Sequence, residues 1–143
     1  MGITALKLEV ATPSGLALQA HVDWVQAPSV EGEFGVEPEH IPLLAVLKSG
    51  TLRYRSENKV HLAVVGPGFV EVGREKVLLL TEKFCRSEEI QPEQIREELE
   101  RADLRLRTYH GATDDPDYVE LQRDSDWARA CLNALEEQSR TAR

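Results

Sequence analysis

A chain of 143 residues, 41% hydrophobic and 6% aromatic, has room for one domain or for a small domain with an appendage. A net charge of −8 argues against nucleic acid or an anionic membrane as a partner held by charge. No apolar run approaches the roughly 20 residues that span a bilayer, no secretory signal is visible, and Cys85 and Cys131 are too few for a disulfide framework, so direct membrane insertion is not expected and the cysteines read as reduced, half-buried residues of a cytosolic protein.

Residues 4–11 alternate, with Leu6, Leu8 and Val10 on one side and Lys7 and Glu9 on the other, which predicts a half-buried strand. Thr12-Pro13-Ser14-Gly15 is a turn. Leu16, Leu18, Ala20, Val22 and Trp24 alternate again over 16–25. The stretch from Ser29 to Leu47 organises the chain. Gly32 and Gly35 flank Glu33-Phe34 and permit positive φ on both sides of a short extended piece. Pro38 and Pro42 interrupt regular pairing around His40. A rigid, exposed, acidic corner is expected, with Leu43, Leu44, Val46 and Leu47 buried beneath it. Short strands follow at 52–55, 60–65 and 69–72, separated by Ser56-Glu57-Asn58-Lys59, Gly66-Pro67-Gly68 and Gly73-Arg74-Glu75-Lys76. Val77 to Leu80 lacks alternation and reads as a buried strand. Short strands at this spacing predict an antiparallel sandwich or flattened barrel.

The period changes at residue 88. Residues 1–87 carry 10 acids and 9 bases, whereas 88–143 carry 15 acids and 8 bases. The boundary is therefore placed at 87, giving a β domain over 1–87 and a helical arm over 88–143. Ile95, Leu99, Ala102, Leu106 and Tyr109 form one apolar stripe behind Pro92, and His110-Gly111 ends it. Asp115 is the expected N-cap of a second helix, with Pro116 in its first turn. Tyr118, Leu121, Ser125, Ala128, Leu132 and Leu135 give its stripe. Two such helices predict an antiparallel hairpin with little core of its own, which either lies on the β domain or swings away to a partner.

The chain lacks a Walker loop, zinc-ligand spacing, a nucleophile elbow and a dinucleotide fingerprint. Gly66-Pro67-Gly68 is a poor phosphate cradle because Pro67 has no N–H. Glu37, Glu39 and His40 could supply metal ligands, and a small metal-dependent β-barrel enzyme using them is the alternative reading. His21, His40 and His61 show no spacing that predicts convergence, so no metal and no cofactor are expected. Cys131 lies in an acidic helix and reads as a packed side chain rather than a nucleophile.

Three blocks carry a resemblance: Val10-Ala11-Thr12-Pro13-Ser14-Gly15, then Ser29-Val30-Glu31-Gly32-Glu33-Phe34-Gly35-Val36-Glu37-Pro38-Glu39-His40-Ile41-Pro42-Leu43-Leu44, then Gly66-Pro67-Gly68-Phe69-Val70-Glu71-Val72. The chain resembles the epsilon subunit of bacterial F-type ATP synthases, and the order of β domain then hairpin matches throughout. The resemblance implies a ten-stranded β-sandwich followed by a two-helix hairpin. It implies a non-catalytic subunit of the rotor stalk that couples c-ring rotation to the catalytic head, peripheral at the cytoplasmic face of the bacterial inner membrane. The β domain would bind the gamma subunit and the polar loops of the c-ring. Glu31, Glu33 and His40 would face the c-ring, with Phe34 and Val36 supporting them. In some members of the family the hairpin extends towards the catalytic alpha/beta subunits and inhibits ATP hydrolysis through basic residues of the second helix that meet the beta subunit. Here those are Arg123 and Arg129, set among Asp117, Glu120, Asp124, Asp126, Glu136 and Glu137, whose charge disfavours the contact, so inhibition stays open. The family's ATP motif, Ile-Asp-x-x-Arg-Ala, corresponds here to Ile90-Gln91-Pro92-Glu93-Gln94-Ile95. Gln91, Gln94 and Ile95 replace its Asp, Arg and Ala, so ATP binding is not expected.

Overall fold

The computed structural model describes residues 5–141. The strands are β1 (Leu6–Thr12), β2 (Gly15–Val22), β3 (Trp24–Ser29), β4 (Gly32–Val36), β5 (Leu43–Leu47), β6 (Gly50–Ser56), β7 (Lys59–Val65), β8 (Gly68–Val72), β9 (Lys76–Thr81) and β10 (Phe84–Arg86). A single 3-10 turn (Ser87–Glu89) leads into α1 (Pro92–Arg107) and α2 (Pro116–Thr141). The sandwich-plus-hairpin architecture expected from the sequence is therefore present.

Nine strands follow one path, β10-β7-β6-β3-β5-β8-β9-β1-β2, and β4 pairs with β3 beside it. The path curls until β2 lies near β6, where Asp23 N–H donates to the Arg55 carbonyl at 2.8 Å and Ser56 Oγ donates to the His21 carbonyl at 2.7 Å. The sheet is a nearly closed, flattened barrel. One pair departs from the antiparallel expectation: β1 and β9 run parallel, from Lys7 opposite Lys76 to Ala11 opposite Leu80. Parallel neighbours need a long crossover, and the strands from β2 to β8 supply it.

The inward-facing residues of these strands fill one core. Leu6, Leu8, Val10, Val65, Val70, Val77 and Leu79 are all 0% exposed. Three expectations need correction. Trp24 is not in phase with Val22: the chain bends at Asp23, and Val25 is the next fully buried residue. Val77 to Leu80 does alternate, with Leu80 exposed. The run beneath the corner is not buried either: Leu43, Leu44 and Val46 are exposed and only Leu47 enters the core.

The hairpin closes on a turn built by Asp115. Asp115 sits at the expected N-cap position, its carbonyl accepting the Val119 N–H at 3.0 Å, while its Oδ2 accepts the Tyr109 hydroxyl at 2.9 Å and the Ala112 N–H at 3.2 Å and so ties the interhelical turn. Asp103 of α1 accepts Ser125 Oγ on one oxygen and Arg129 on the other, each at 2.7 Å. Ser125 thus fills its stripe position with a satisfied hydroxyl.

The hairpin lies on the β domain. Ala130, Cys131 and Ala134 of α2 pack against Val64 of β7 and Ile90, with Cys85, Ile95, Trp127 and Leu135 around them. Small residues on this second face let the helix approach the sheet closely. Lys83 sits 5.5 Å over the Trp127 ring. Burial pushes the Cys131 thiol up to about 12, which fits a packed side chain rather than a nucleophile.

Candidate docking surface

The organising stretch resolves into a hairpin tip, a strand, an irregular loop and a second strand. At the tip, Ser29 Oγ accepts the Glu31 N–H at 3.1 Å and donates to the Gly32 carbonyl at 2.7 Å. Gly32 has φ +121°, a conformation that L side chains rarely adopt, so glycine is required there. Gly35 has no positive φ, contrary to expectation. Glu31 is exposed at this tip.

Glu33 stands on β4 and receives Arg53 Nη1 at 2.8 Å. Phe34 is half-buried against the main core, and Val36 is 1% exposed, so Val36 supports the strand from inside. The loop after β4 is pinned to the β8–β9 turn. The Glu39 N–H donates to the Arg74 carbonyl at 2.8 Å, and the Glu39 carboxylate pairs with Arg74 at 3.0 Å. His40 is half-buried, with Nδ1 2.6 Å from the Ile41 carbonyl.

Two separate grooves result. Glu31, Glu33 and Phe34 share one of about 440 Å³ with Leu44, Val46 and Phe69. His40 and Val36 share another of about 550 Å³ with Trp24 and Gln26. Glu31 and His40 lie off opposite ends of the five-residue β4, about 16 Å of strand apart. They are not one corner.

Sequence reasoning missed the apolar wall beside the first groove. In register across the sheet, Val46 opposes Phe69, Phe69 opposes Leu80, Leu80 opposes Ala11, and Ala11 opposes Leu16. Val46, Phe69, Leu80 and Leu16 are 45%, 54%, 50% and 56% exposed. Leu44 (71%) and Ile41 (76%) extend the wall at the β5 side. An apolar row about 19 Å long at the usual strand spacing thus crosses five strands, exposed on four of them and continued across β1 by the half-buried Ala11. Contiguous exposed apolar rows of this kind are typical of interaction sites.

Several of the remaining candidates are engaged internally. Among the described residues no group of three His, Cys, Asp or Glu could hold a metal ion, and Glu39 is already paired with Arg74. Gln91 precedes α1 without a side-chain cap, Gln94 donates to Glu98 at 3.2 Å, and Ile95 packs under α2. Arg123 reaches Glu82 at 3.3 Å, and Arg129 is held by Asp103 within the hairpin. No helix among the described residues is long and apolar enough to cross a membrane.

Arg53 draws the hairpin to this surface. Its Nε and Nη2 donate to the two carboxylate oxygens of Glu137, each at 2.6 Å. These bonds hold the Glu137 carboxyl below its ordinary value of 4.5. A depressed carboxylate contributes stability that is present above its unfolded value and lost as pH falls below it. Docking of α2 is therefore expected to be level from about pH 6 to 8 and to weaken below about pH 4.5. Trp127 fluorescence in a Trp24→Phe background checks this. A transition near neutrality would refute it.

Residues 5–87 match the family model for the ATP synthase delta/epsilon chain β-sandwich domain. The chain is 45% identical over 102 residues to the ATP synthase epsilon chain of Nitratidesulfovibrio vulgaris (strain DP4), covering 71% of this chain and 76% of that one. It is 46% identical over 101 residues to the ATP synthase epsilon chain of Carboxydothermus hydrogenoformans, covering 71% and 75%. In structure it resembles a chain of the Euglena gracilis mitochondrial ATP synthase (OSCP/F1/c-ring, rotational state 1), with TM-score 0.79 and 22% identity over 94% of this chain and 84% of that one, a likeness of fold. These relatives do not support the metal-enzyme alternative, and the chain belongs to the delta/epsilon chain family of ATP synthase.

Proposed function

We propose that the chain is a non-catalytic rotor-stalk subunit of ATP synthase, with its β-sandwich seated between the gamma subunit and the polar loops of the c-ring. The apolar row from Val46 through Phe69 and Leu80 to Leu16 carries this reading, because it runs across five neighbouring strands and a stable interface needs such a face. That row is assigned to gamma. Glu31 and Glu33 at the first groove, and His40 at the second, are assigned to the c-ring loops, where acids pair with basic loop residues and fix register. Phe34 and Val36 hold β4 in place. The site of action is the peripheral, cytoplasmic face of a bacterial inner membrane. The units are the sandwich over 1–87 and the hairpin over 88–143.

A pull-down with recombinant gamma, intact chain beside a deletion of 88–143, tests the reading. Binding that survives the deletion supports docking through the sandwich, and no binding by either form overturns it. The hairpin has a regulatory role in this reading. In the docked arrangement Arg123 pairs with Glu82 of the sandwich, so lifting the hairpin would free it for the catalytic subunits, whereas Arg129 stays paired with Asp103 inside the hairpin. Deleting 88–143 is expected to raise ATP hydrolysis by the assembled enzyme; unchanged activity removes the inhibitory role. Calorimetry with MgATP is expected to give no binding heat, since the positions of the ATP motif here hold Gln91, Gln94 and the packed Ile95.

A further inference from the structure

Arg53 lies where the docking surface and the hairpin meet. It comes from β6, holds Glu137 near the end of α2 through two bonds, and holds Glu33 of β4 through a third. The Glu137 side chain is 22% exposed and the Glu33 side chain 44%, so a partner reaches Glu33 far more readily. The two carboxylates use different donors, Glu33 on Nη1 and Glu137 on Nε and Nη2, but they divide the single positive charge of one guanidinium. Taking the charge of Glu33 away therefore leaves Arg53 more fully to Glu137. The surroundings do not mask the effect: Lys48, Arg129 and Arg140 share the cleft with Asp126 and Glu136, close to balance.

We infer that Arg53 links the two regions: a cation that captures Glu33 at the docking surface tightens α2 on the sandwich. Occupied sandwich and docked hairpin then favour each other, and by linkage a docked hairpin frees Glu33 less reluctantly for the partner. The inference rests on the reading that Glu33 faces a partner, but the linkage itself belongs to the isolated chain.

Cys131 reports it. The thiol is 1% exposed beneath α2, so N-ethylmaleimide reaches it when the helix lifts. In the full chain, Glu33→Gln is expected to slow Cys131 labelling about twofold, the scale of a partly exposed ion pair. Arg53→Met is expected to speed it about tenfold, the scale of lost bonds to a charged group. In the Arg53→Met background, Glu33→Gln is expected to have a clearly smaller effect. Mass spectrometry of the Cys131 peptide separates this thiol from Cys85, and circular dichroism confirms that each variant is folded. Labelling that Glu33→Gln leaves unchanged or speeds, or that it slows equally without Arg53, overturns the inference. No partner is present in this assay, so its failure is distinct from a failed gamma pull-down.

Discussion

Replacing Leu44 and Phe69 together by Glu is expected to weaken gamma binding about a thousandfold while leaving the fold intact. Both side chains are mostly in solvent in the free chain, 71% and 54% exposed, so neither charge disturbs the core. At the interface each would be desolvated without a partner. Central apolar residues of an interface cost about 2 kcal/mol or more on truncation, and about 1.4 kcal/mol is tenfold in affinity. Two such positions give about 4 kcal/mol, or about three decades. Val60→Glu is the control. It is 49% exposed on β7, away from the β5-β8-β9-β1-β2 row, and is expected to leave binding unchanged. Titration calorimetry, with melting curves alongside, checks all three proteins. Affinity within threefold of the parent for the double variant would remove the row from the gamma interface.

That row also shows where sequence reading stops. The alternation of Leu6, Leu8 and Val10 gave β1 directly, and the threes and fours behind Pro92 and Pro116 gave both helices. Each of these patterns contrasts apolar with polar residues. Leu43-Leu44-Ala45-Val46-Leu47 and Val77-Leu78-Leu79-Leu80 have no such contrast, because both of their faces are apolar: one for the core and one left exposed. An exposed apolar face and a buried one look alike in a sequence. The second face of α2 was illegible for a different reason. Ala130, Cys131 and Ala134 are small, so they weigh little in a hydrophobic stripe, although small residues are what close approach to β7 requires. The Arg53–Glu137 pair spans 84 residues, and no local pattern announces it. The turn at Gly32 was legible because its constraint is local, a glycine held at φ +121° beside a serine that bonds its own turn, whereas the positive φ expected at Gly35 is absent.

Gly68→Ala is expected to lower the melting temperature by about 10 °C, from a cost of about 3 kcal/mol. Gly68 lies between Leu47 of β5 and Thr81 of β9 in the sheet register. A Cβ there would be driven into the Leu80 carbonyl oxygen and would stand 2.9 Å from both the Leu80 carbonyl carbon and the Thr81 Cα. All three are backbone atoms, so no side-chain rotation relieves the clash. Nor can Thr81 withdraw freely: its Oγ1 donates to the Gly66 carbonyl at 2.9 Å and fastens β9 to the turn before β8. The strands must separate, at a cost typical of overpacking a well-filled interior. Gly35→Ala is the contrast, since a Cβ there meets nothing within 4 Å and its φ is not positive; its melting temperature is expected within about 2 °C of the parent. Because Phe69 follows Gly68 directly, Gly68→Ala should weaken gamma binding and stability together. The Leu44 and Phe69 charge variants should weaken binding alone. A Gly68→Ala protein that melts with the parent would mean that β8 and β9 can move apart at little cost, and the apolar row would then be a compliant surface rather than a rigid one.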